Sequence, residues 1–427
     1  MNIFDQLLAD NQIPKFVRVR HEMDHSHIHD IEGAVAPAMR RAGTLDPIKP
    51  GDSVCITAGS RDVANIARII RAICDQVKSV GAHPFIIPAM GSHAGAKAEG
   101  QRGIIEGYGV TEEAMGAPIR ASMDTEVIAH SKSGLEIHLD KFANAADFLI
   151  PVGRIKAHTD FRGEVESGIC KMLVIGMGKQ HGAYQCHKLG FKSMAANVKE
   201  FAGAIIEKKP NMFAIGLIEN AYHQTCRIEA IPAGRILAEE PPLLEYAKSR
   251  MAKVPFDQAD ILFVDETGKD ISGAGMDPNV TGRSAQNGIS RPFAERIVAR
   301  DLTDEAHHHA TGMGNADVTT RRLFDKIYME QTYPNSLTSR DINGFRIPIV
   351  MENDDLAIRF ALHTITGANA ESGYRAMWIR DTNHVQTFYV TERLLADTAA
   401  MPWLRTDGVA LRPVFGADGY FTGWERA

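Results

Sequence analysis

The sequence predicts an α/β protein with two α/β domains, each built on a Rossmann-like parallel sheet. Residues 52–95 predict a buried strand, a polar loop, an amphipathic helix and a second apolar strand in succession. A further apolar strand with a glycine-rich polar loop begins near residue 259. The length of 427 residues also exceeds what one ordinary hydrophobic core supports. We therefore expect a domain of residues 1–250 and a domain of residues 251–427, with the active site in the interdomain cleft.

The composition indicates a globular protein in a reducing compartment. Hydrophobic residues make up 44% of the chain and charged residues 23%, and the net charge of -6 disfavours a nucleic-acid or anionic-membrane binder, which would show a basic face. The N-terminus lacks the apolar core of a secretory signal, and no apolar run is long enough to span a bilayer. The five cysteines are scattered and lack CxxC spacing. We expect a cytoplasmic protein without nucleic-acid or membrane partners.

The segment 52–95 is predicted to form a right-handed βαβ unit. Its loops GSR and GSH follow the first and second strands, so Ser60, Arg61 and His93 should converge at the carboxyl edge of the sheet. Ser60 and Arg61 would suit a phosphate at a helix N-terminus. The alternative is a capping serine beside a surface arginine. His93 is either a general acid/base or a loop histidine whose ring nitrogens are simply hydrogen-bonded, and the local sequence leaves both interpretations open.

Other predicted strands flank this unit. Residues 15–20 (KFVRVR) alternate and predict an edge strand. Residues 146–153 (ADFLIPVG) predict a core strand that Arg154, Lys156 and His158 follow, and residues 211–220 (NMFAIGLIEN) predict another that ends beside Glu219. The predicted loop after residue 265 in the second domain carries Lys269 and resembles an active-site loop.

The stretch 151–190 concentrates the residues that suit catalysis. His158, Lys171, His181 and His187 stand in it among seven glycines. Glycines allow close backbone approach to a bound group, imidazoles ligate metals or move protons, and a lysine among apolar residues can act as a nucleophile. The spacing matches no common zinc, P-loop or catalytic-triad motif.

Two further histidine groups are weaker metal-site hypotheses. His25, His27 and His29 would share one side of a strand, although a solvated polar segment is the preferred interpretation. The run of histidines at 307–309 (His307, His308 and His309) is disfavoured as a metal site, because adjacent side chains point in different directions.

Taken together, GSR after the first strand, GSH after the second and HTDF…CKM…H in the stretch 151–190 resemble the lactate racemase family, which works with a nickel-pincer nucleotide. In this sequence His93, His158, Lys171 and His187 follow the order in which the family places two catalytic histidines, the cofactor-bearing lysine and the nickel-ligating histidine. Sixteen residues separate Lys171 from His187, as the resemblance leads us to expect.

The resemblance implies a covalently bound nickel-pincer nucleotide, pyridinium-3,5-bisthiocarboxylic acid mononucleotide with Ni. Lys171 would carry it as a thioamide, and Ser60 and Arg61 would contribute to its binding. Nickel would be held by two sulfurs, a ring carbon and His187, in the square-planar geometry that Ni(II) favours. The protein would depend on cofactor biosynthesis enzymes as partners, while its oligomeric state is left open.

The implied reaction is racemisation or epimerisation at C2 of a small 2-hydroxy acid. His93 and His158 would exchange the hydroxyl proton from opposite sides, and a hydride would pass to the cofactor and back. Arg154, Lys156 or Lys269 would supply the cation for the substrate carboxylate.

Two departures from the family suggest a different substrate, and other readings stay open. The interval from His158 to Lys171 is thirteen residues, longer than expected, and the second-domain loop lacks a clean match to the family's carboxylate-binding glutamine and lysine. We therefore expect a larger or polyhydroxylated acid. His181 is the rival nickel ligand. The alternatives are an NAD(P)-dependent dehydrogenase, which the sequence AGSRDVAN disfavours because it lacks GxGxxG, and a non-catalytic organic-acid-binding protein.

Overall fold

The computed structural model describes residues 3–60, 63–286, 288–289 and 293–427. The protein has an α/β fold whose contacts divide into two compact units. One unit is Asp24–Met251, and the other combines Met1–Met23 with Ala252–Ala427.

The strands of the described residues are numbered here in chain order: β1 (Phe16–His21), β2 (Ser53–Ala58), β3 (His83–Pro88), β4 (Thr125–His130), β5 (Glu136–Asp140), β6 (Phe148–Ile150), β7 (Val152–Arg154), β8 (Phe213–Glu219), β9 (Thr225–Pro232), β10 (Gln258–Thr267), β11 (Arg283–Ser284), β12 (Gly288–Ile289), β13 (Phe293–Leu302), β14 (Val318–Thr320), β15 (Ile349–Met351), β16 (Ala376–Ile379), β17 (Thr387–Thr391), β18 (Leu404–Phe415) and β19 (Phe421–Arg426). The α-helices are α1 (Ile3–Leu7), α2 (Ile31–Arg41), α3 (Ile66–Ser79), α4 (Ala98–Gly107), α5 (Glu112–Met115), α6 (Lys141–Ala145), α7 (Ile169–Lys171), α8 (Lys179–His187), α9 (Met194–Lys208), α10 (Ile236–Arg250), α11 (Pro278–Thr281), α12 (Arg321–Asp325), α13 (Met329–Ser339), α14 (Asp354–His363) and α15 (Glu392–Leu395). A π-helical turn, Met172–Gly176, lies between α7 and α8.

The predicted βαβ unit is confirmed in the unit Asp24–Met251. Strand β2 pairs in parallel with β3 on one side and with β6 on the other, and α3 connects β2 to β3. The middle of β2 is fully buried, as expected for a parallel strand covered on both faces. The apolar face of α3 packs against this sheet through buried isoleucines.

A second small sheet continues from the first. Strand β7 follows β6 after one proline and pairs in parallel with β8, while β9 is antiparallel to β8. Strands β2, β3, β6, β7 and β8 therefore include the core strands predicted from residues 146–153 and 211–220. Strands β4 and β5 form a separate antiparallel hairpin.

The other unit contains a nine-stranded mixed sheet in the order β15-β14-β13-β10-β16-β17-β1-β18-β19. The five strands from β15 to β16 pair in parallel, and the remaining pairs are antiparallel. The predicted Rossmann-like parallel arrangement thus describes about one half of this sheet.

Strand β1 is an interior strand, so its prediction as an edge strand is wrong. It pairs with β17 on one side and β18 on the other. Phe16 is fully buried and its ring lies 5.7 Å from that of Trp378 and 5.4 Å from that of Trp424. These apolar contacts attach the first 23 residues to the unit that continues from Ala252, whereas domains assigned in chain order put them with residues 24–250.

Among the helices of the described residues, none combines the length and the apolar character that a membrane crossing requires.

Candidate functional site

Ser60 and His93 meet beyond the carboxyl ends of β2 and β3. The Oγ of Ser60 lies 2.5 Å from Nδ1 of His93, and the hydroxyl of Tyr108 donates to the Ser60 carbonyl oxygen at 2.8 Å. The convergence arises because parallel strands place their carboxyl ends at one sheet edge. Arg61, the other predicted residue of this loop, lies outside the described residues.

The loop that carries His93 is fixed by a buried side chain that the sequence analysis did not identify. Gln101 is fully buried and donates through Nε2 to the carbonyl oxygens of Gly91 and His93, at 2.8 and 3.2 Å. Ala94 and Ala96 follow with φ of 54°, a left-handed conformation that non-glycine residues adopt at an energetic cost. Strained backbone held by a buried amide is common at functional sites.

His158 and Lys171 are in direct side-chain contact within the central stretch. The Nζ of Lys171 lies 2.6 Å from Nε2 of His158, and Nδ1 of the same ring accepts the backbone N–H of Asp160 at 2.9 Å. Phe161 stacks on the imidazole, with ring centroids 4.1 Å apart. A neutral ring whose Nδ1 accepts carries its proton on Nε2. The contact therefore places the Lys171 amine directly beside the Nε2 atom of the His158 ring.

The π-helical turn after Lys171 packs against the loops that follow β2 and β3. A Cβ added to Gly59 would lie 3.3 Å from the Met172 methyl group, and one added to Gly176 would lie 2.9 Å from the Ala89 carbonyl oxygen. The amide of Gly91 donates to the Gly176 carbonyl oxygen at 3.3 Å. The segment that bears Lys171 therefore lies against the loops that bear Ser60 and His93.

His187 is the last residue of α8, and a hydrogen bond fixes the tautomer of its ring. Nδ1 lies 2.6 Å from the carbonyl oxygen of Ala183 and donates to it, which leaves the lone pair on Nε2. Burial lowers the pKa of His187, and the nearby charge of Lys171 lowers it further. A neutral imidazole with its second N–H bonded to a carbonyl is the usual state of a metal-ligating histidine.

His181 occupies a different environment on the same helix. Its side chain is exposed, and its ring stacks on His138 of β5 with centroids 5.7 Å apart. The charge of Lys171 contributes to the lowered pKa of His187, whereas the ring of His181 is engaged with the β4–β5 hairpin. These surroundings favour His187 over His181 as a ligand beside Lys171.

A buried ion pair anchors the start of α8. Lys179 is completely buried with φ of 53°, and its Nζ lies 3.1 Å from Oδ2 of Asp140 at the end of β5. Lys179 also donates to the Pro88 carbonyl oxygen. Burial raises the pKa of Asp140. The pair joins α8 to the ends of β5 and β3, and so fixes the helix on which His187 lies.

Two predicted substrate cations, Arg154 and Lys156, lie at the end of β7 and just after it. Nη1 of Arg154 contacts Oε2 of Glu219 at 2.5 Å, and the other oxygen of Glu219 accepts the amide of Ala64 at 2.8 Å. Glu219 therefore offsets the charge of Arg154. The backbone of Lys156 pairs with that of Ser167, at 3.0 and 3.2 Å.

Lys269 lies in the other unit, after β10. Its Nζ is 2.9 Å from Nε2 of His309, whose Nδ1 lies 2.7 Å from Oγ1 of Thr311. Burial and the charge of Lys269 lower the pKa of His309 to about 4, so the ring is neutral at pH 7 and can accept from the Lys269 ammonium. His309 was predicted only as part of a histidine run.

The other histidines of the two runs have separate surroundings. The rings of His27 and His29 have centroids 4.2 Å apart, and His308 is bonded through Nδ1 to the carbonyl of Lys326. In the part of the chain that the structure describes, no three His, Cys, Asp or Glu side chains form a group that could hold a metal ion. A metal held by one protein ligand and by a cofactor's own donor atoms would not produce such a group.

The chain was compared with family models, curated proteins and solved structures. No protein-family model matches the chain, and no curated protein does. Among solved structures, the chain is similar to the lactate racemase apoprotein from Thermoanaerobacterium thermosaccharolyticum, with a TM-score of 0.45 and 16% sequence identity. That likeness covers 67% of this chain and 74% of the racemase chain.

Proposed function

We propose that the protein is an isomerase that racemises or epimerises a 2-hydroxy acid at C2, with a nickel-pincer nucleotide tethered to Lys171 and its nickel bound by His187. The observation that carries the proposal is the 2.6 Å contact between Lys171 Nζ and His158 Nε2. It unites, across thirteen residues of sequence, the two side chains for which the motif resemblance predicts a tether and an acid/base.

The residues present fit such a group. The His158 ring, with Nδ1 accepting from Asp160, has the Lys171 amine against its Nε2, and thioamide formation would use that amine as its nucleophile. His187 presents an Nε2 lone pair from a ring fixed by Ala183. When bound, the nickel-pincer nucleotide supplies the hydride acceptor and donor of the reaction.

The two histidines would handle the hydroxyl proton. Ser60 orients His93 through Nδ1, so Nε2 is the nitrogen that would take or return a proton. His158 would exchange a proton at Nε2, the atom that faces Lys171. A base placed within hydrogen-bond reach is typically worth about 10²–10⁴-fold in rate. Lys156 and Lys269 are the proposed cations for the substrate carboxylate, while Arg154 is balanced by Glu219.

Intact-mass and nickel analysis tests the tether. Protein produced together with the cofactor biosynthesis enzymes should carry an added mass on Lys171 and bound nickel, and Lys171→Arg should lose both. Lys208→Arg, at an exposed position on α9, is the matched control and should keep both. An unmodified Lys171 in the native protein would remove the central claim.

A substrate panel tests the reaction. Purified loaded protein should interconvert the stereoisomers of a 2-hydroxy acid without added NAD, in a screen of lactate, malate, phenyllactate and gluconate. Turnover that requires NAD(P) would indicate the dehydrogenase alternative. Tight binding without interconversion would indicate an organic-acid-binding protein, and turnover of lactate alone would contradict the proposed larger substrate.

A further inference from the structure

A buried glutamate of α10 caps the short helix that carries Lys171. Glu240 is completely buried, and its Oε2 accepts the backbone N–H of Cys170 at 2.8 Å. The nearby amide of Ile169 counteracts part of the rise that burial causes in the pKa of this carboxyl group. The first amides of a helix have no partner within the helix, so an acceptor from another helix fixes where α7 begins.

The geometry at Gly168 shows how tightly this cap is built. The second carboxyl oxygen of Glu240 lies where a Cβ of residue 168 would stand, so only glycine admits the carboxyl group at this distance. That oxygen has no hydrogen-bond partner among the described residues. Burial raises the pKa of Glu240. A buried carboxyl group that uses only part of its hydrogen-bonding capacity lowers the stability of the fold, which indicates a role other than stability alone.

A second buried glutamate fixes the loop that carries His158. Glu166 is 1% exposed, and its Oε2 accepts the backbone N–H of His158 at 2.7 Å. Its other oxygen lies 3.0 Å from Nζ of Lys248, which also belongs to α10. Arg162 approaches the same carboxylate at 3.7 Å. Helix α10 thus contacts the Lys171 segment through Glu240 and the His158 loop through Lys248 and Glu166.

We infer that α10 is the positioning element of the site: Glu240 and the Lys248–Glu166 pair are positioning residues that hold the Lys171 amine against the His158 ring. The inference rests on the proposed function only in taking Lys171 and His158 as the reactive pair. The two side chains lie on separate segments, thirteen residues apart in sequence, and neither segment alone fixes the other. Helix α10 binds the Cys170 amide through Glu240, and through Lys248 it pairs with Glu166, which binds the His158 amide, so one helix sets the separation of the two side chains.

The test is the acylation rate of Lys171 in the protein without cofactor, measured at fixed pH with an N-hydroxysuccinimide acetate ester and peptide mass spectrometry. The rate is divided by that of exposed Lys208. Glu240→Ala and Lys248→Met should each lower this ratio by roughly tenfold, because the Lys171 amine is no longer held in its position against the His158 ring. His158→Gln should lower it equally.

Conservative replacement separates positioning from general stability. Glu240→Gln keeps an acceptor oxygen for the Cys170 amide and should stay within about threefold of the native ratio, well short of the full cost of an unsatisfied buried donor. Glu239→Ala, on the same helix but on the surface, should leave the ratio unchanged. A structural role alone would lower the thermal midpoint without altering the Lys171 ratio.

Three results would overturn the inference. One is a native ratio in folded Glu240→Ala, and another is a native ratio in Lys248→Met, whose half-buried side chain can be replaced even if Glu240→Ala does not fold. The third is a native ratio in His158→Gln. None of these measurements needs nickel, cofactor or turnover. The positioning inference can therefore fail while the racemase proposal stands, and the racemase proposal can fail while the positioning inference stands.

Discussion

The hydrogen bond from His187 to Ala183 determines which ring nitrogen a metal could reach. Because Nδ1 donates to a carbonyl one turn earlier in α8, Nε2 keeps its lone pair, and burial lowers the pKa of the ring. Protons compete with metals for imidazole, so a lowered pKa favours ligation at neutral pH. The sequence indicated His187 by its spacing from Lys171, but could not show this tautomer.

His187→Ala is therefore expected to lose nickel. In protein produced with the cofactor biosynthesis enzymes, nickel content should fall by at least about tenfold, the lower end of what even an outer-shell partner contributes. His181→Ala is the control, because its exposed ring stacks on His138, and it should keep native nickel. Metal analysis of both purified variants decides the matter, and stoichiometric nickel in His187→Ala would contradict the assignment.

His309 gives a prediction for stability against pH. Its pKa in the folded protein is lowered from 6.5 to about 4, so the unfolded chain binds more protons between these values. The free energy of unfolding should therefore be highest above pH 6.5 and decrease as the pH falls towards 4. His309→Gln should flatten this part of the profile, whereas His307→Gln, at an exposed neighbouring position, should not. Denaturant unfolding at pH 4.5 and pH 7 measures the difference; equal slopes in native protein and His309→Gln would refute it.

At the scale of single elements, the π-helical turn Met172–Gly176 positions the segment that carries Lys171. π-Helical turns are rare in proteins, and those that occur are often at functional sites. This one starts directly after Lys171. It brings Gly176 within contact of the backbone after β3, so the turn and the His93 loop share one packed interface.

Gly176→Ala should disturb that interface. Its Cβ would lie 2.6 Å from the sulfur of Met172 and 2.9 Å from the carbonyl oxygen of Ala89, and the backbone cannot yield easily. We expect a loss of roughly 1–3 kcal/mol in the free energy of unfolding, as for other overpacked positions. Gly103→Ala in α4 meets no atom within 4 Å and should be neutral or stabilising. Matched unfolding curves test the pair, and equal midpoints would show that the turn has room.

What the sequence could predict at this scale was local. The βαβ unit followed from apolar periodicity and loop residues that lie within a few positions of one another, and Ser60 and His93 met because sheet topology leaves little choice. Gln101, Glu166 and Glu240 were not predicted, since a polar residue on a helix or loop has the same local pattern whether it faces solvent or a distant amide. Their burial is decided by tertiary packing.

At the scale of the whole molecule, the chain does not divide in sequence order. Strand β1 has the alternating pattern of an edge strand, but its partners β17 and β18 lie more than 360 residues away. Pairing over such separations carries no local signature. The proline-marked sequence after α10 predicts a boundary there, whereas no local pattern predicts that the first 23 residues group with the later unit.

This topology predicts how fragments behave. Residues 24–251 contain every ladder partner of β2 to β9, so this fragment should fold alone with a cooperative thermal transition. Residues 252–427 lack β1, which leaves both β17 and β18 unpaired on one side and removes Phe16 from a core that contains Trp378 and Trp424. That fragment should aggregate or remain partly unfolded, because exposed strand edges invite non-native pairing.

Joining residues 1–23 to the C-terminus of 252–427 through a flexible linker should restore a folded unit. The same fusion with Phe16→Asp is the control, since it supplies the strand but places a charge in a fully buried position. Circular dichroism and size-exclusion chromatography distinguish the three proteins. If the fragment 252–427 folds as well without β1 as with it, the sheet does not depend on the first strand, and the interior pairing of β1 would contribute little to the stability of the unit.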